Sequence, residues 1–232
     1  MRRSVLALFV LCLFGAILVP AAHATPVLLT FAGLQDLQAI GNYYNGGAGT
    51  NYGVSFSSDV YALKSVFQGG AGGFDPDPTN TPAMFIMGTN GTNVTGTMNV
   101  GPGFSSGISF FYTAAFSETV TVWSGANGTG TVLATITLSP NNGSCTGFPS
   151  YCNWSGVGLS FTGTGKSVTF SGTSNGVGIS DIKLGTTSLI TPEPSTLVLL
   201  GAGLAATSIG GGRRFVRRWF RAGATKAREA RV

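Results

Sequence analysis

Between Thr25 and Ile190 the chain runs in short stretches of alternating apolar and small polar residues, each cut off by Gly, Asn or Pro. A repeat of two is the mark of a half-buried strand, and runs this short cannot support the helices of a layered α/β fold. The pattern predicts strands at Val27–Phe31, Gly53–Ser57, Ala83–Met87, Val94–Val100, Gly107–Thr113, Glu118–Ser124, Thr131–Leu138, Val157–Thr162, Ser167–Ser171 and Val177–Leu184. In the sixth run Val120 and Val122 alternate with Thr119, Thr121 and Trp123. Asn127-Gly128 between the sixth and seventh runs predicts a hairpin, because both residue types tolerate positive φ. Only Leu34–Ile40 reads as a helix. The recurring Gly-Thr pairs have no fixed period and predict turns, so a solenoid is not indicated. Together these features predict an all-β fold, an antiparallel β-sandwich or barrel.

The two ends carry different signals. Arg2 and Arg3 precede an apolar run to Val19, and Pro20 and Ala22-His23-Ala24 follow. A positive start, an apolar centre and small residues at the −3 and −1 positions define a signal peptide, so residues 1–24 are expected to be cut off after Ala24 by signal peptidase. The run is shorter than the ~20 residues of a spanning helix. At the other end, Thr191-Pro192-Glu193-Pro194-Ser195 stops any helix. An apolar stretch, Thr196–Ile209, then leads through three glycines to Arg213, Arg214, Arg217 and Arg218. Such a segment is expected to stop as a transmembrane helix with its arginines in the cytoplasm. Residues 219–232 would form a basic cytoplasmic tail, and residues 25–190 a domain outside.

The order Pro192-Glu193-Pro194, apolar helix, arginine cluster resembles the PEP-CTERM sorting signal of bacteria, over 191–218. That resemblance implies a membrane-anchored precursor. It also implies processing near the Pro-Glu-Pro by exosortase, a membrane transpeptidase, and delivery to the cell surface or beyond. The three glycines and the continuation to Val232 depart from the usual pattern.

Charge supports the same division. Of 13 Lys and Arg, only Lys64, Lys166 and Lys183 lie in residues 25–190, against six acids, a net of −3. The basic balance belongs to the membrane-directed ends, and a nucleic-acid-binding domain is not indicated. Cys145 and Cys152 are the only cysteines outside the signal peptide. In an oxidising compartment they are expected to pair; zinc would need two further ligands, and residues 25–232 contain no His and no other Cys.

The absence of His also removes Ser-His-Asp and Cys-His catalysis from an exported chain, and no pair of acids stands out, so a non-catalytic protein is expected. Asp75, Asp77 and Thr79 offer alternate oxygens of the kind Ca²⁺ takes, but the intervening prolines favour a rigid surface turn. Tyr43, Tyr44, Tyr52, Tyr151 and Trp154 lie in Gly/Asn-rich segments and could stack on sugar rings, with Tyr43, Tyr44 and Trp154 the candidate contacts; core packing competes for the same residues. The segments Phe31-Ala-Gly-Leu34, Asn42-Tyr-Tyr-Asn-Gly-Gly47, Ile108–Tyr112 and Ile179–Ile182 are similar to the jelly-roll sandwich of PEP-CTERM cargo and of carbohydrate modules. This second resemblance implies a structural Ca²⁺ at Asp181, on the closing strand, with carbonyls near Phe31. No other cofactor is expected. The leading expectation is therefore an exported structural protein of the surface or matrix; the alternative is a carbohydrate-binding module that adheres to exopolysaccharide.

Overall fold

The structure, a computed structural model, describes residues 25–88 and 94–190. The signal cleavage residues Ala22 and Ala24, the sorting residues Pro192, Glu193 and Pro194, the arginines Arg213, Arg214, Arg217 and Arg218, and both expected terminal helices lie outside the described residues. No helix among the described residues is long and apolar enough to cross a membrane.

Among the described residues, twelve strands form two antiparallel sheets. They are β1 Val27–Leu29, β2 Gln38–Ala39, β3 Val54–Phe56, β4 Val60–Leu63, β5 Ala83–Ile86 and β6 Val94–Phe104. β7 Gly107–Ala114, β8 Glu118–Trp123, β9 Val132–Leu138, β10 Ser155–Ser160, β11 Gly165–Gly172 and β12 Val177–Leu184 complete the set. The larger sheet runs β10-β7-β12-β5-β4-β2, with β1 also on β12; the smaller runs β3-β6-β11-β8-β9. Each of the ten expected strands has a counterpart, within a few residues at its ends. The Asn127-Gly128 hairpin is present: both residues have positive φ and β8 pairs with β9.

Alternation sends one face of each sheet inward. On β7, Ile108, Phe110 and Ala114 enter the core while Ser109, Phe111 and Thr113 take the opposite face. Phe110 meets Phe170 of β11 edge-to-face, with ring centroids 6.4 Å apart, so this pair joins the two sheets. Phe31 does the same with Tyr44 and Phe56 near the chain entry. The result is a sandwich with one continuous apolar core.

Leu34–Ile40 is not a helix. It holds one turn, at Asp36-Leu37, followed by β2, and Leu37 lies in the left-handed region at φ 57°, which a helix cannot continue through. The apolar spacing that suggested a helix arises because Leu34 and Ile40 both reach the core from a bent chain, while Leu37 stays half exposed. The helical element among the described residues is one 3-10 turn, Val66–Gln68, closed by a reciprocal Ser65–Gln68 capping box. β2 and β4 were not expected; two to four residues are too few for alternation to stand out.

β11 and β12 are consecutive but belong to different sheets, so Thr173–Gly176 carries the chain across the end of the sandwich.

Candidate functional site

The outer face of the larger sheet carries one of the clefts among the described residues. β-register places Thr113 opposite Gly178, Gly178 opposite Phe85, and Phe85 opposite Tyr61, a transverse row over β7, β12, β5 and β4. Gly178 keeps the middle of this row low. A wall rises where the segment after the Val66–Gln68 turn meets the disulfide loop. Phe74 and Tyr151 form a parallel bridge, Tyr151 N donates to Gly73 O (3.2 Å) and Asp75 N donates to Tyr151 O (2.9 Å). Cys145–Cys152 closes that loop, as expected from the sequence. Tyr151 Oη donates to Asn175 O (3.0 Å), which ties the wall to the Thr173–Gly176 crossover.

The enclosed volume is about 350 Å³, within the size range of small-ligand sites. Leu37 and Met87, half exposed, form the opposite rim. No charged side chain lines the cleft among the described residues. Thr113 lies in its floor; the residue is 1% exposed and its Oγ1 has no hydrogen-bond partner among the described residues. That hydroxyl is buried, so a molecule in the cleft would meet Tyr151 and the apolar rim. The arrangement suits a neutral ligand with an apolar face.

Of the five aromatics proposed from sequence, Tyr151 lines this cleft; Tyr43, Tyr44 and Trp154 do not. Tyr44 is a core residue: its ring packs on Phe31, Tyr43 and Tyr52, and its Oη accepts from Phe31 N (2.8 Å). Burial pushes that hydroxyl above the usual phenol range and leaves no ring face for a sugar. Tyr43 covers Gly33 and Gly49 and donates to Ala32 O (3.0 Å). Trp154 is half buried behind the wall, edge-to-face with Phe74 (5.8 Å), and its Nε1 donates to Asp75 O (2.8 Å). It supports the cleft and does not line it. Phe74, Thr113 and Phe85 were missed. Strand alternation does put Thr113 and Phe85 on the outer face, but no sequence signal says which loop folds over that face.

The second polar centre is an acid pair. Asp77 and Asp181 are 4% and 2% exposed; the expected turn is present and its Pro78 and Asn80 are exposed, but the Asp77 side chain turns inward. Asp181 sits at φ 53°, at the bulge where β12 changes partner from β5 to β1. Thr79 Oγ1 lies 2.9 Å from both Asp181 carboxylate oxygens and 2.9 Å from Asp77 Oδ2. One hydroxyl hydrogen cannot serve three carboxylate oxygens. Asp77 Oδ1 accepts from Thr81 N (2.6 Å). Burial, and then the neighbouring Asp77 charge, push the Asp181 carboxyl up to about 7. Two carboxylates and two hydroxyls are hard oxygen donors and fit Ca²⁺ in type and charge, although no group of three or more acids, His or Cys occurs among the described residues. Asp75 stands outside this cluster: the contacts shown for it are made by its backbone, whose carbonyl receives Trp154.

The tail beyond Ile190 was matched on sequence alone. Its Pro-Glu-Pro, apolar stretch and arginines fit one known pattern from end to end. Residues 191–218 are a PEP-CTERM protein-sorting motif. The PEP-CTERM motif marks an exported precursor that exosortase sorts, and here it directly follows the sandwich. No curated protein matches the chain. Among solved structures, a mutant of a family 29 carbohydrate-binding module is similar at 12% identity and a TM-score of 0.42, covering 73% of this chain and 99% of that one. A family 6 module from Clostridium stercorarium, in complex with cellobiose, is similar at 12% identity and a TM-score of 0.36, covering 69% and 93%. The PEP-CTERM match thus concerns the tail, and the cleft of the sandwich has to be read from its own residues.

Proposed function

We propose that this chain is a non-catalytic structural protein of the cell surface or extracellular matrix. It is made with a signal peptide cut after Ala24, held in the inner membrane by the helix before Arg213, and handed to exosortase at Pro192-Glu193-Pro194. The observation that carries this reading is the PEP-CTERM motif at residues 191–218. The disulfide Cys145–Cys152 supports it, since such bonds persist in oxidising compartments. Replacing Pro192, Glu193 and Pro194 by alanines tests it through the partition of the protein between membrane and surface fractions in the host.

A second reading is favoured by the cleft: adhesion to a neutral exopolysaccharide. Tyr151, with Leu37 and Met87 on the opposite rim, offers a sugar an apolar surface. Affinity electrophoresis in gels containing neutral polysaccharides separates the two readings. Retardation that weakens roughly tenfold or more in Tyr151→Ala, and not in a variant at exposed Phe116, supports binding at the cleft. Equal mobility with and without every polysaccharide leaves the structural role alone.

We assign the Asp77–Asp181 cluster as the place of a structural Ca²⁺. Asp77, Thr79, Thr81 and Asp181 would hold it, and its charge would offset the two buried carboxylates.

A further inference from the structure

Glu118 opens β8 at the end of the sandwich where the chain crosses between sheets. It is 2% exposed, yet no cation pairs with it among the described residues. Its Oε1 accepts from Thr173 N (3.0 Å), and its Oε2 is buried with no partner among the described residues. The crossover wraps the carboxyl closely: a Cβ on Gly172 would collide with Oε2, and one on Gly176 would lie 2.6 Å from Oε1. Both glycines therefore leave the room that the Glu118 carboxyl fills.

The crossover is also a junction. Ser174 Oγ accepts from Gly88 N (2.9 Å), Asn175 N donates to Ile86 O (3.0 Å), and Gly176 O accepts from Ala115 N (3.0 Å). Asn175 lines the cleft, and its carbonyl holds the Tyr151 hydroxyl. A path of contacts thus runs from the Glu118 carboxyl, through Thr173–Gly176, to the cleft wall.

We propose that Glu118, as a neutral carboxylic acid, is the positioning residue for the Asn175–Tyr151 side of the cleft, and that its ionisation loosens that side. An ionised carboxylate in this place would bury a charge with a single backbone N–H to stabilise it. Burial raises the Glu118 carboxyl above its ordinary value, against the hydrogen bond from Thr173 N, which lowers it. Around it, the crossover contributes Gly172, Thr173 and Gly176, and β9 contributes Leu138 opposite it in register; none of these titrates. Tyr151 is the titratable group that faces it from the disulfide loop, and the Glu118 charge in turn holds the Tyr151 hydroxyl up, second to burial. The inference concerns the wall and not its occupant. It stands or falls separately from sugar binding.

Hydrogen exchange on the full chain in detergent, read at residues 173–177 and 150–152 and corrected for intrinsic exchange, tests it. In the native protein, protection at both segments should fall at least tenfold between pH 4.5 and 8. In Glu118→Gln, which keeps the acceptor for Thr173 and cannot ionise, the fall should be far smaller, leaving only the part that Asp181 contributes. Parallel profiles for the two proteins overturn the proposal. If the variant does not fold, a ¹³C carboxyl titration of the native protein decides instead: Glu118 ionising at the ordinary value of a glutamate, with both segments still protected, overturns it as well.

Discussion

Phe110→Ala is expected to cost about 3–5 kcal/mol, the usual range for removing a buried phenylalanine. Phe110 is fully buried on β7 and packs edge-to-face on Phe170 of β11. The alanine would lose the transfer free energy of the ring and leave a cavity at the seam between the sheets, where neither can collapse without shifting its strands. Domains of this kind hold only roughly 5–15 kcal/mol in total, so the variant should unfold far earlier in urea. Phe116→Ala is the matched control. Its ring is 53% exposed, and its loss should stay within about 0.5 kcal/mol. Equal urea midpoints for the two variants would contradict the shared core.

The acid pair predicts the second large effect. An Asp181 carboxyl raised to about 7 binds its proton more tightly in the folded than in the unfolded chain. The stability this contributes is full below the ordinary aspartate value and is lost as pH climbs to about 7. The Tm of calcium-free protein should therefore decline between pH 4 and pH 7. Glu118 is raised as well and adds to the decline in the same direction, so Asp181→Asn should remove only part of the slope. Ca²⁺ replaces the missing positive charge. At pH 7.5 and a hundredfold excess over its Kd, it should raise the native Tm by roughly 5–10 °C. Asp181→Asn should respond far less. A native Tm indifferent to Ca²⁺ would contradict the Ca²⁺ assignment.

The strands were legible because alternation and turn residues are local properties, and β12 was read to the residue. The helix at Leu34–Ile40 was misread because a bent segment can reach the core at helical spacing without helical hydrogen bonds. Tyr44 was read as a loop aromatic for a similar reason: its Gly/Asn-rich neighbours form turns around a ring that points inward. Asp77 and Asp181 are 104 residues apart, and a sequence pattern cannot pair them. The cleft needed three things that sequence does not join: the register of four strands, the bridge from Phe74 to Tyr151, and the path of the disulfide loop. The sorting tail is the opposite case. Its information lies in linear order, so residues 191–218 were readable at once.

That tail is also the most direct point of test. Intact mass should be measured on the protein isolated from the surface and membrane fractions of its native host, for the native chain and for the variant with Pro192, Glu193 and Pro194 changed to alanine. The native surface form should lack both residues 1–24 and the segment beyond the Pro-Glu-Pro, and the variant should keep the tail and stay in the membrane. If both proteins keep residues 195–232 and fractionate alike, the tail acts as a plain anchor, and sorting by exosortase is contradicted.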